Sequence, residues 1–368
     1  MHARDRLRGA REFYDRHRLR FHLLSFLAGF AFDAVAASGS GVDHAVVIAQ
    51  QIAYLSIVGV ILYIDFLREA RPGEMRMPPR LERLWEYRSL VVHFCLGTLM
   101  NLYSIFFLLS ASLSSSIVFV VILFAAVVLN EMEDVRQHGV DVKIGFFVIC
   151  VFCFFSLLIP LALGHVGTVP FLLSFAATMA VIAAFYYVLR RRLGLAELKR
   201  RLLLPALSVS GLFLALYWVG LIPPVPIAAR KLGVYHRVER HGDDYLLFRQ
   251  QPAWKFWESG DQTFLEEPGD RVYVFASLVA PARFDDTVYM RWSVRDAAGA
   301  WHSTDRIPIH FTGGREGGFR GYTYKTNCAP GDWRATIETN NGLEIARVSF
   351  TIESTPPDPQ RVLVVHHG

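Results

Sequence analysis

The sequence predicts an all-α membrane bundle of seven transmembrane helices, followed by an all-β, immunoglobulin-like antiparallel sandwich. Three observations predict this class of fold: seven long apolar stretches, a one-sided distribution of basic residues, and a change of hydrophobic period after Pro223. Hydrophobic residues make up 53% of the 368 residues, and the mean hydropathy is +0.31. This composition excludes a wholly soluble protein.

Stretches of about twenty apolar residues are long enough to cross a bilayer as helices. Seven such stretches define a transmembrane domain over residues 21–222. An Arg-rich lead and the Ala34-Val35-Ala36 triplet would also fit a cleavable signal peptide, but the long lead favours an uncleaved anchor. The seven stretches lie near residues 21–37, 46–67, 89–109, 114–130, 144–163, 171–189 and 203–222.

Basic residues indicate the side of the membrane on which each segment lies. Of the 38 Lys and Arg residues, 21 precede Pro223, and all of these fall in the tail at residues 1–20 or in alternate loops. The positive-inside rule therefore places this tail in the cytoplasm and the chain beyond residue 222 on the opposite side. That exported part has 17 basic and 18 acidic residues, so the sequence predicts no nucleic-acid partner. The turns that carry no basic residue lie at 38–44, 110–113 and 164–170.

The third predicted span carries a polar stripe at helical spacing. The stripe consists of His93, Gly97, Asn101 and Ser104. Polar side chains at this depth must face protein or a wet cavity, because lipid tails offer them no hydrogen-bond partner. We favour a tight seam between helices, held together by Asn101. A path for protons or substrate is the alternative.

Acidic residues cluster at the cytoplasmic end of the fourth predicted span. Glu131, Glu133 and Asp134 lie close to His138, and such a group could bind a metal ion or transfer protons. The paired histidines of a zinc-binding helix are missing from the cluster, so a solvated loop rim is the favoured interpretation. The sequence predicts no metal site and no cofactor.

Beyond Pro223 the hydrophobic period becomes two, as in the run from Val288 to Val294, and this period is typical of strands with one buried face. The Asn340-Asn341-Gly342 turn favours a hairpin. Cys328 has no partner cysteine in the exported part, so we expect a buried thiol. Eight strands are predicted near residues 234–240, 245–250, 271–279, 288–295, 307–311, 319–326, 333–339 and 343–352.

These strands define a predicted sandwich at residues 233–354, with Trp292 and Trp333 in its core. A Pro-rich linker at residues 223–232 precedes the sandwich, and a loose C-terminal tail at residues 355–368 follows it.

A glycine-rich stretch from Gly313 to Lys325 is the chemically distinctive part of the module. Its glycines allow backbone N–H groups to approach an anion, and its three cations would then clamp a carboxylate or phosphate. A long hairpin connection, whose glycines adopt positive φ, is the favoured alternative. The stretch is not a nucleotide-binding phosphate loop, because no Lys-Ser or Lys-Thr follows at the required offset. The candidate residues are Arg315, Glu316, Arg320, Tyr322 and Lys325.

Three tryptophans extend this candidate ligand site. Exposed rings at Trp254, Trp257 and Trp301 would stack on sugars or rest on a membrane surface, although one core Trp in each sheet would explain half of these aromatic residues equally well. The sequence has no Ser-His-Asp arrangement with a nucleophile elbow and no paired carboxylates in a plausible cleft. We therefore predict no catalytic residue. His236 is a single imidazole, for which a role in the core or as a cap is favoured.

Four segments of the exported part closely resemble a bacterial family whose C-terminal module has no known function. They are Ile222-Pro223-Pro224-Val225-Pro226, Gly233-Val234-Tyr235-His236, Arg315 to Lys325, and Pro330-Gly331-Asp332-Trp333-Arg334. The resemblance covers essentially the whole exported part and, less distinctively, the membrane half. It implies a multi-pass protein of the bacterial inner membrane with its C-terminal domain in the periplasm. It implies no reaction and no catalytic residue.

We favour a non-catalytic membrane protein that presents the sandwich to an envelope partner, which is a protein, a glycan or an anionic lipid headgroup. The second hypothesis is a membrane-embedded transporter or enzyme that uses the polar stripe of the third helix, with the sandwich as lid or regulator. The third is a sensor that acts through a partner. The sequence does not predict the oligomeric state.

Overall fold

A computed structural model describes most of the chain, and the chain divides into two compact units. Unit 1 contains the described residues of Met1–Ile105, Val121–Phe154 and Ala177–Leu212, and unit 2 contains those of Phe106–Val120, Phe155–Ala176 and Phe213–Gly368. The described residues are 44–70, 77–112, 116–132, 140–242, 244–250, 258, 260–281, 284–312, 318–326, 328–358 and 361–368.

Helices occupy the described chain up to residue 218. A π-helical turn at Lys199–Leu203 interrupts the last of the long helical segments. The helices are α1 (His44–Ala70), α2 (Pro79–Trp85), α3 (Arg88–Ser110), α4 (Ile117–Glu131), α5 (Val140–Leu163), α6 (Thr168–Leu189), α7 (Leu195–Leu198) and α8 (Leu204–Trp218).

Among the described residues, five helical segments are long and apolar enough to cross a membrane, so this half of the chain is compatible with a multi-pass membrane protein. The predicted first span near residues 21–37 lies outside the described residues, and α4 is apolar but only 15 residues long. A total of seven spans therefore stays a prediction. The five segments are Ala45–Glu69, Arg88–Ser110, Val140–Leu163, Thr168–Leu189 and Leu195–Trp218.

Ion pairs connect the ends of α1, α2 and α3 within unit 1. The buried carboxylate of Asp65 accepts a hydrogen bond from Arg88 Nε at 2.7 Å, and Arg68 pairs with Glu82 at 2.7 Å. Both guanidinium groups pack over the Trp85 ring, at 5.5 and 5.6 Å from its centroid. The negative charge of Asp65 is therefore compensated by Arg88 at the start of α3.

The chain from Ala228 to His367, which we call the β module, contains eleven described strands in three sheets. The five-stranded sheet has the order β4-β10-β9-β6-β7, and the three-stranded sheets have the orders β1-β5-β8 and β11-β3-β2. All pairs are antiparallel except β4 with β10. The strands are β1 (Ala228–Tyr235), β2 (Arg237–His241), β3 (Asp244–Arg249), β4 (Thr263–Glu266), β5 (Arg271–Val279), β6 (Asp285–Arg295), β7 (Trp301–Thr312), β8 (Phe319–Thr326), β9 (Gly331–Glu338), β10 (Glu344–Ser354) and β11 (Val364–His367).

The five-stranded sheet and the β1-β5-β8 sheet share one buried core. Trp292 and Trp333 both lie in this core, as the sequence predicts, with ring centroids 6.5 Å apart in an edge-to-face arrangement. Trp292 is fully buried and donates its indole N–H to Thr323 Oγ1 at 3.2 Å. Cys328 is also buried, as expected, and burial raises the pKa of its thiol to about 11.

The third sheet adds a layer that the sequence analysis did not predict. Phe275 of β5 points away from the main core and packs with Tyr235, Val238 and Leu247 in a second buried cluster. The β11-β3-β2 sheet therefore covers part of the outward face of the β1-β5-β8 sheet.

The predicted strand pattern differs from the structure in several details, among them β4 (Thr263–Glu266), which was not predicted. The run predicted at residues 234–240 is divided at His236 into β1 and β2. β1 begins at Ala228, inside the predicted linker at 223–232. The segment after Ser354, which the sequence suggests is a loose tail, forms β11, and all four residues of β11 pair with β3. These pairings are long-range, and local periodicity carries no signal for them.

The α5–α6 turn contributes directly to the β module. Val166 of this turn belongs to the main core, together with Ile227 at the start of the module. The backbone N–H of Val166 donates to Asp286 Oδ2 at 3.1 Å, and the N–H of Asp285 donates to the Gly164 carbonyl at 3.1 Å. The core of the module is therefore completed by a residue from the helical half of the sequence.

Three further side chains form what we call the helix-end clamp: Thr168 at the start of α6, Tyr217 near the end of α8, and Asn341 in the β9–β10 turn. Asn341 Nδ2 donates to the Tyr217 hydroxyl at 2.8 Å and to Thr168 Oγ1 at 3.2 Å. The Tyr217 hydroxyl donates to Thr168 Oγ1 at 3.1 Å. Nearby in sequence, Glu344 of β10 accepts a hydrogen bond from Ser112, which follows the end of α3.

Candidate functional site

The candidate residues of the glycine-rich stretch are only partly described. Arg315 and Glu316 lie outside the described residues, as do Trp254 and Trp257. Arg320, Tyr322 and Lys325 lie on β8, whereas Trp301 begins β7. β7 and β8 belong to different sheets.

Arg320 and Tyr322 lie on the face of β8 that carries aromatic residues. Tyr322 packs against Tyr245 and Tyr273, with ring centroids 6.2 and 5.8 Å away. Arg320 Nη1 pairs with Asp244 Oδ1 at 2.7 Å. The cation that the sequence assigns to ligand binding is thus engaged with a carboxylate of β3.

Lys325 lies at the junction between β8 and β7. Its ammonium group pairs with Asp305 and donates to Thr304 Oγ1 at 3.2 Å. The hydrogen bond from Lys325 lowers the pKa of the Asp305 carboxyl. Arg320 and Lys325 therefore bind carboxylates of different sheets, and they do not converge on a single anion.

A second basic surface lies around Trp301, on the outward side of the five-stranded sheet. We call this surface the arginine face, and its residues are Arg291 and Arg295 on β6, Arg334 on β9, and Arg347 on β10. The Arg334 guanidinium stacks on the Trp301 ring at 3.9 Å from its centroid, and Arg295 approaches the same ring at 6.0 Å. Only Trp301 of this surface was among the residues selected from the sequence.

Three of these arginines have carboxylate partners. Arg291 pairs with Glu338 at 2.5 Å and Arg347 pairs with Glu344. Arg295 is 3.6 Å from Asp332, an exposed pair of small energetic value.

Arg334 differs from its neighbours, because no carboxylate of the described chain pairs with it. Its Nε is buried and has no hydrogen-bond partner among those residues. Burial lowers the pKa of Arg334, and the cation of Arg347 lowers it further. The carboxylate of Glu344 opposes this shift, whereas the cations of Arg291 and Arg295 add to it. The centre of the face is therefore a site of positive potential.

A buried ionic network surrounds His236, at the break between β1 and β2. Its Nε2 is 3.3 Å from Asp261 Oδ2, and its Nδ1 is 2.6 Å from Arg361 Nη2, which acts as donor. Arg361 Nη1 also pairs with Asp270 at 2.7 Å. Burial and the Arg361 cation lower the pKa of His236 from 6.5 to about 3, so the imidazole is neutral. The network fixes the segment before β11 and agrees with a role for His236 in the core.

The polar stripe of α3 meets a partner on α4 within unit 1. His93 Nδ1 is 3.0 Å from Asn130 Oδ1, and Asn130 Nδ2 donates to the His93 carbonyl at 3.2 Å. Ser104 is buried and donates to the Met100 carbonyl of its own helix at 2.8 Å. Gly97 and Asn101 of the stripe are each partly buried.

Asn130 was not predicted as the partner of His93, although it directly precedes the acidic cluster in the sequence. Glu131 is the last residue of α4. Glu133, Asp134 and His138 lie outside the described residues. Within the described ranges, no group of three or more His, Cys, Asp or Glu side chains is arranged to hold a metal ion.

Residues 285–352 match a family described as "Protein of unknown function (DUF2914)". The matched segment runs from the start of β6 into β10, and it contains all four arginines of the arginine face. The match agrees with the sequence-based resemblance at the level of a C-terminal domain of unknown function. The membrane half lies outside it.

No curated protein matches the chain. Among solved structures, the chain is similar to an immunoglobulin-like protein from Pseudomonas aeruginosa, with 12% identity over 33% of this chain and 96% of that chain, at a TM-score of 0.20. A β-glucosidase involved in saponin metabolism from intestinal bacteria has 13% identity over 34% of this chain and 16% of that chain, at a TM-score of 0.20.

A β-glucosidase from Listeria innocua, in complex with gluconolactone, has 7% identity over 33% of this chain and 18% of that chain, at a TM-score of 0.20. The chain thus spans less than a fifth of the length of either glucosidase. With these TM-scores, none of the three structures carries an argument about the present protein.

Proposed function

We propose that this chain is a non-catalytic, multi-pass protein of the bacterial inner membrane that presents an immunoglobulin-like β module to an envelope partner in the periplasm. In this proposal the membrane domain has seven transmembrane helices and the tail at residues 1–20 is cytoplasmic. The five long apolar segments and the basic residues before Pro223 support this topology. The partner is a protein, a glycan or a lipid headgroup.

The observation that carries the proposal is the attachment of the β module to helix ends within unit 2. Val166 enters the core of the module, and Asn341 bonds both Thr168 and Tyr217. A module on a flexible tether would sample many positions, whereas these contacts hold it beside the α5–α6 turn. A fixed recognition surface is what such an attachment provides.

The topology predicts an active alkaline phosphatase when the enzyme is fused after Gly368, because this phosphatase folds only in an oxidising compartment. A matched fusion in the basic loop between Arg190 and Arg201 is expected to be inactive, because this loop is cytoplasmic in the proposal. The measurement is phosphatase activity per fusion protein in the membrane. An inactive C-terminal fusion at normal abundance would contradict a periplasmic module.

The helix-end clamp predicts that Asn341→Ala lowers the stability of the attached module by about 1–2 kcal/mol, because the two hydrogen bonds of the clamp are lost, together with the one that Asn341 Oδ1 accepts from Thr339 Oγ1. Urea-dependent unfolding of the purified full chain in detergent measures this change. Asn340→Ala is the matched control, because its exposed side chain is outside the clamp. Equal unfolding curves for Asn341→Ala and Asn340→Ala would show that the clamp does not hold the module.

The contacts of α3 favour a packing role for its polar stripe. His93 and Asn130 bond each other through side chain and backbone, as expected for a seam between helices. We therefore do not propose a transporter or a membrane-embedded enzyme. Loss of a cellular phenotype in His93→Ala, with folded protein still in the membrane, would instead support a transporter or membrane-embedded enzyme. A sensor that acts through a partner stays a hypothesis of the sequence analysis.

A further inference from the structure

We propose that the arginine face binds a phosphate group of a soluble ligand in the periplasm, with Arg334 at the centre of the site. This inference deepens the proposed function and rests on it, because the face must meet periplasmic solvent to capture such a ligand.

Strand register places hydroxyl groups on both sides of Arg334. Ser293 of β6 and Ser349 of β10 are its direct cross-strand neighbours. Directly opposed residues in a sheet are about 5 Å apart and diagonal neighbours about 7–8 Å apart, and opposed residues point to the same face. Ser349 is exposed, so its hydroxyl lies within reach of a ligand that is bound to Arg334, whereas Ser293 is buried.

The same register surrounds Arg334 with the other arginines. Arg291 and Arg295 lie two residues to either side of Ser293, and Arg347 lies two residues before Ser349. These are diagonal positions around Arg334, within reach of long side chains. Four guanidinium groups therefore border one small area of the sheet.

The charges of this surface do not cancel. Arg306 of β7 bonds Glu338, which also pairs with Arg291, so one carboxylate serves two cations. Five arginines, namely Arg291, Arg295, Arg306, Arg334 and Arg347, thus face three carboxylates, those of Glu338, Glu344 and Asp332. Burial is the largest cause of the lowered pKa of Arg334, and the neighbouring cations contribute to it despite the opposing effect of Glu344.

Phosphate is the anion that fits this arrangement best. Its oxygens point in several directions, so that one group can accept from Arg334, from a flanking arginine and from a serine hydroxyl at once. Guanidinium forks bind phosphate oxygens in pairs, and these charge-assisted bonds are stronger than neutral ones. A ligand carboxylate offers only two oxygens and would duplicate the role that Glu338 and Glu344 already have.

The position of the acidic residues favours a soluble ligand over the headgroups of the bilayer. Glu344 bonds Ser112, directly after α3, and Glu338 is its cross-strand neighbour. Arg334 lies four residues along β9 from Glu338, a distance of about 14 Å in a strand. A headgroup level with Glu338 would therefore lie about 14 Å short of Arg334.

The test measures binding of inorganic pyrophosphate to the full chain in an uncharged detergent by calorimetry. Arg334→Gln is expected to weaken binding about tenfold or more, because charge-assisted hydrogen bonds are lost. Arg237→Gln is the matched control, since Arg237 is an exposed arginine of β2 that pairs with Glu239. The control is expected to change the affinity by less than about twofold. Thermal unfolding of both variants checks that they are folded.

Two results would overturn the proposed site: a wild-type chain that does not bind pyrophosphate, or an equal loss of affinity in Arg334→Gln and Arg237→Gln. A third arm compares bilayer discs of phosphatidylcholine alone with discs that also contain phosphatidylglycerol. Equal pyrophosphate affinity in both supports a soluble ligand. A large loss of pyrophosphate affinity in the anionic discs means that lipid phosphate occupies the arginine face. That result overturns the choice of a soluble ligand.

Failure of the site and failure of the proposed topology are distinguishable. Intact pyrophosphate binding with an inactive phosphatase fusion after Gly368 would reject the periplasmic placement alone. An active fusion with no difference between Arg334→Gln and Arg237→Gln would reject the phosphate site alone.

Discussion

Acidification from pH 6.5 towards pH 3 is expected to destabilise the β module by on the order of 4 kcal/mol, and His236 is the cause. The unfolded chain protonates this imidazole below about pH 6.5, whereas the folded chain does so only below about pH 3. The unfolded state thus binds more protons across this interval. The stabilisation that neutral His236 gives to the folded state is complete above pH 6.5. It is lost as the pH falls from 6.5 to about 3.

The groups around His236 explain why its pKa stays low despite nearby carboxylates. Asp261 and Asp270 favour a charged imidazole, but Arg361 lies against the ring and pairs with Asp270 and Glu267. Burial disfavours the charge further. Protonation of the folded ring would therefore place a second cation beside the guanidinium.

The measurement is the free energy of unfolding of the full chain as a function of pH, for the wild type and for His236→Gln. The variant is expected to be less stable at neutral pH and to lose less stability on acidification, because no imidazole remains to titrate. His302→Gln is the matched control, since its imidazole is exposed and pairs with Asp296 at the surface. The same pH dependence in wild type and His236→Gln would refute the assignment.

Replacement of Trp292 by alanine is expected to destabilise the β module by about 3–5 kcal/mol. Trp292 is fully buried at the centre of the core, where its ring contacts Trp333 and Phe350 edge to face. The substitution removes these contacts, opens a cavity and leaves the Thr323 hydroxyl without its indole donor.

Trp301→Ala is the matched control for this substitution, because Trp301 is only partly buried and stacks on arginines at the surface. It is expected to cost less than about 1 kcal/mol. Denaturant unfolding of the full chain, followed by the circular dichroism of the β module, compares the two variants. Similar losses for Trp292→Ala and Trp301→Ala would contradict the central position of Trp292.

Local patterns predicted the elements of this chain where a single segment contains the signal. The run from Val288 to Val294 alternates because β6 has one buried face, and β6 contains it with Trp292 in the core. The apolar stretch near residues 144–163 is likewise an uninterrupted helix, α5. A strand with one buried face alternates apolar and polar residues, and a helix that is apolar on every face has a continuous apolar run. Both patterns can be read within a single segment.

The arginine face was not predicted, because it depends on register between strands. The placement of Arg334 beside Ser293 follows from pairing between β6 and β9. Pairing between distant segments has no local signal. The same reason explains β11 and the joining of Arg361 to His236, which are 125 residues apart.

The place of Val166 in the core of the β module has a consequence for biosynthesis. Proteins are made from the N-terminus, so the α5–α6 turn leaves the ribosome before β1 exists. The nascent β module must therefore complete its packing against a turn that has already been synthesised. The β module thus packs against a turn that is made before it. A fragment that begins at Ile227 would lack both Val166 and the partners of Asn341.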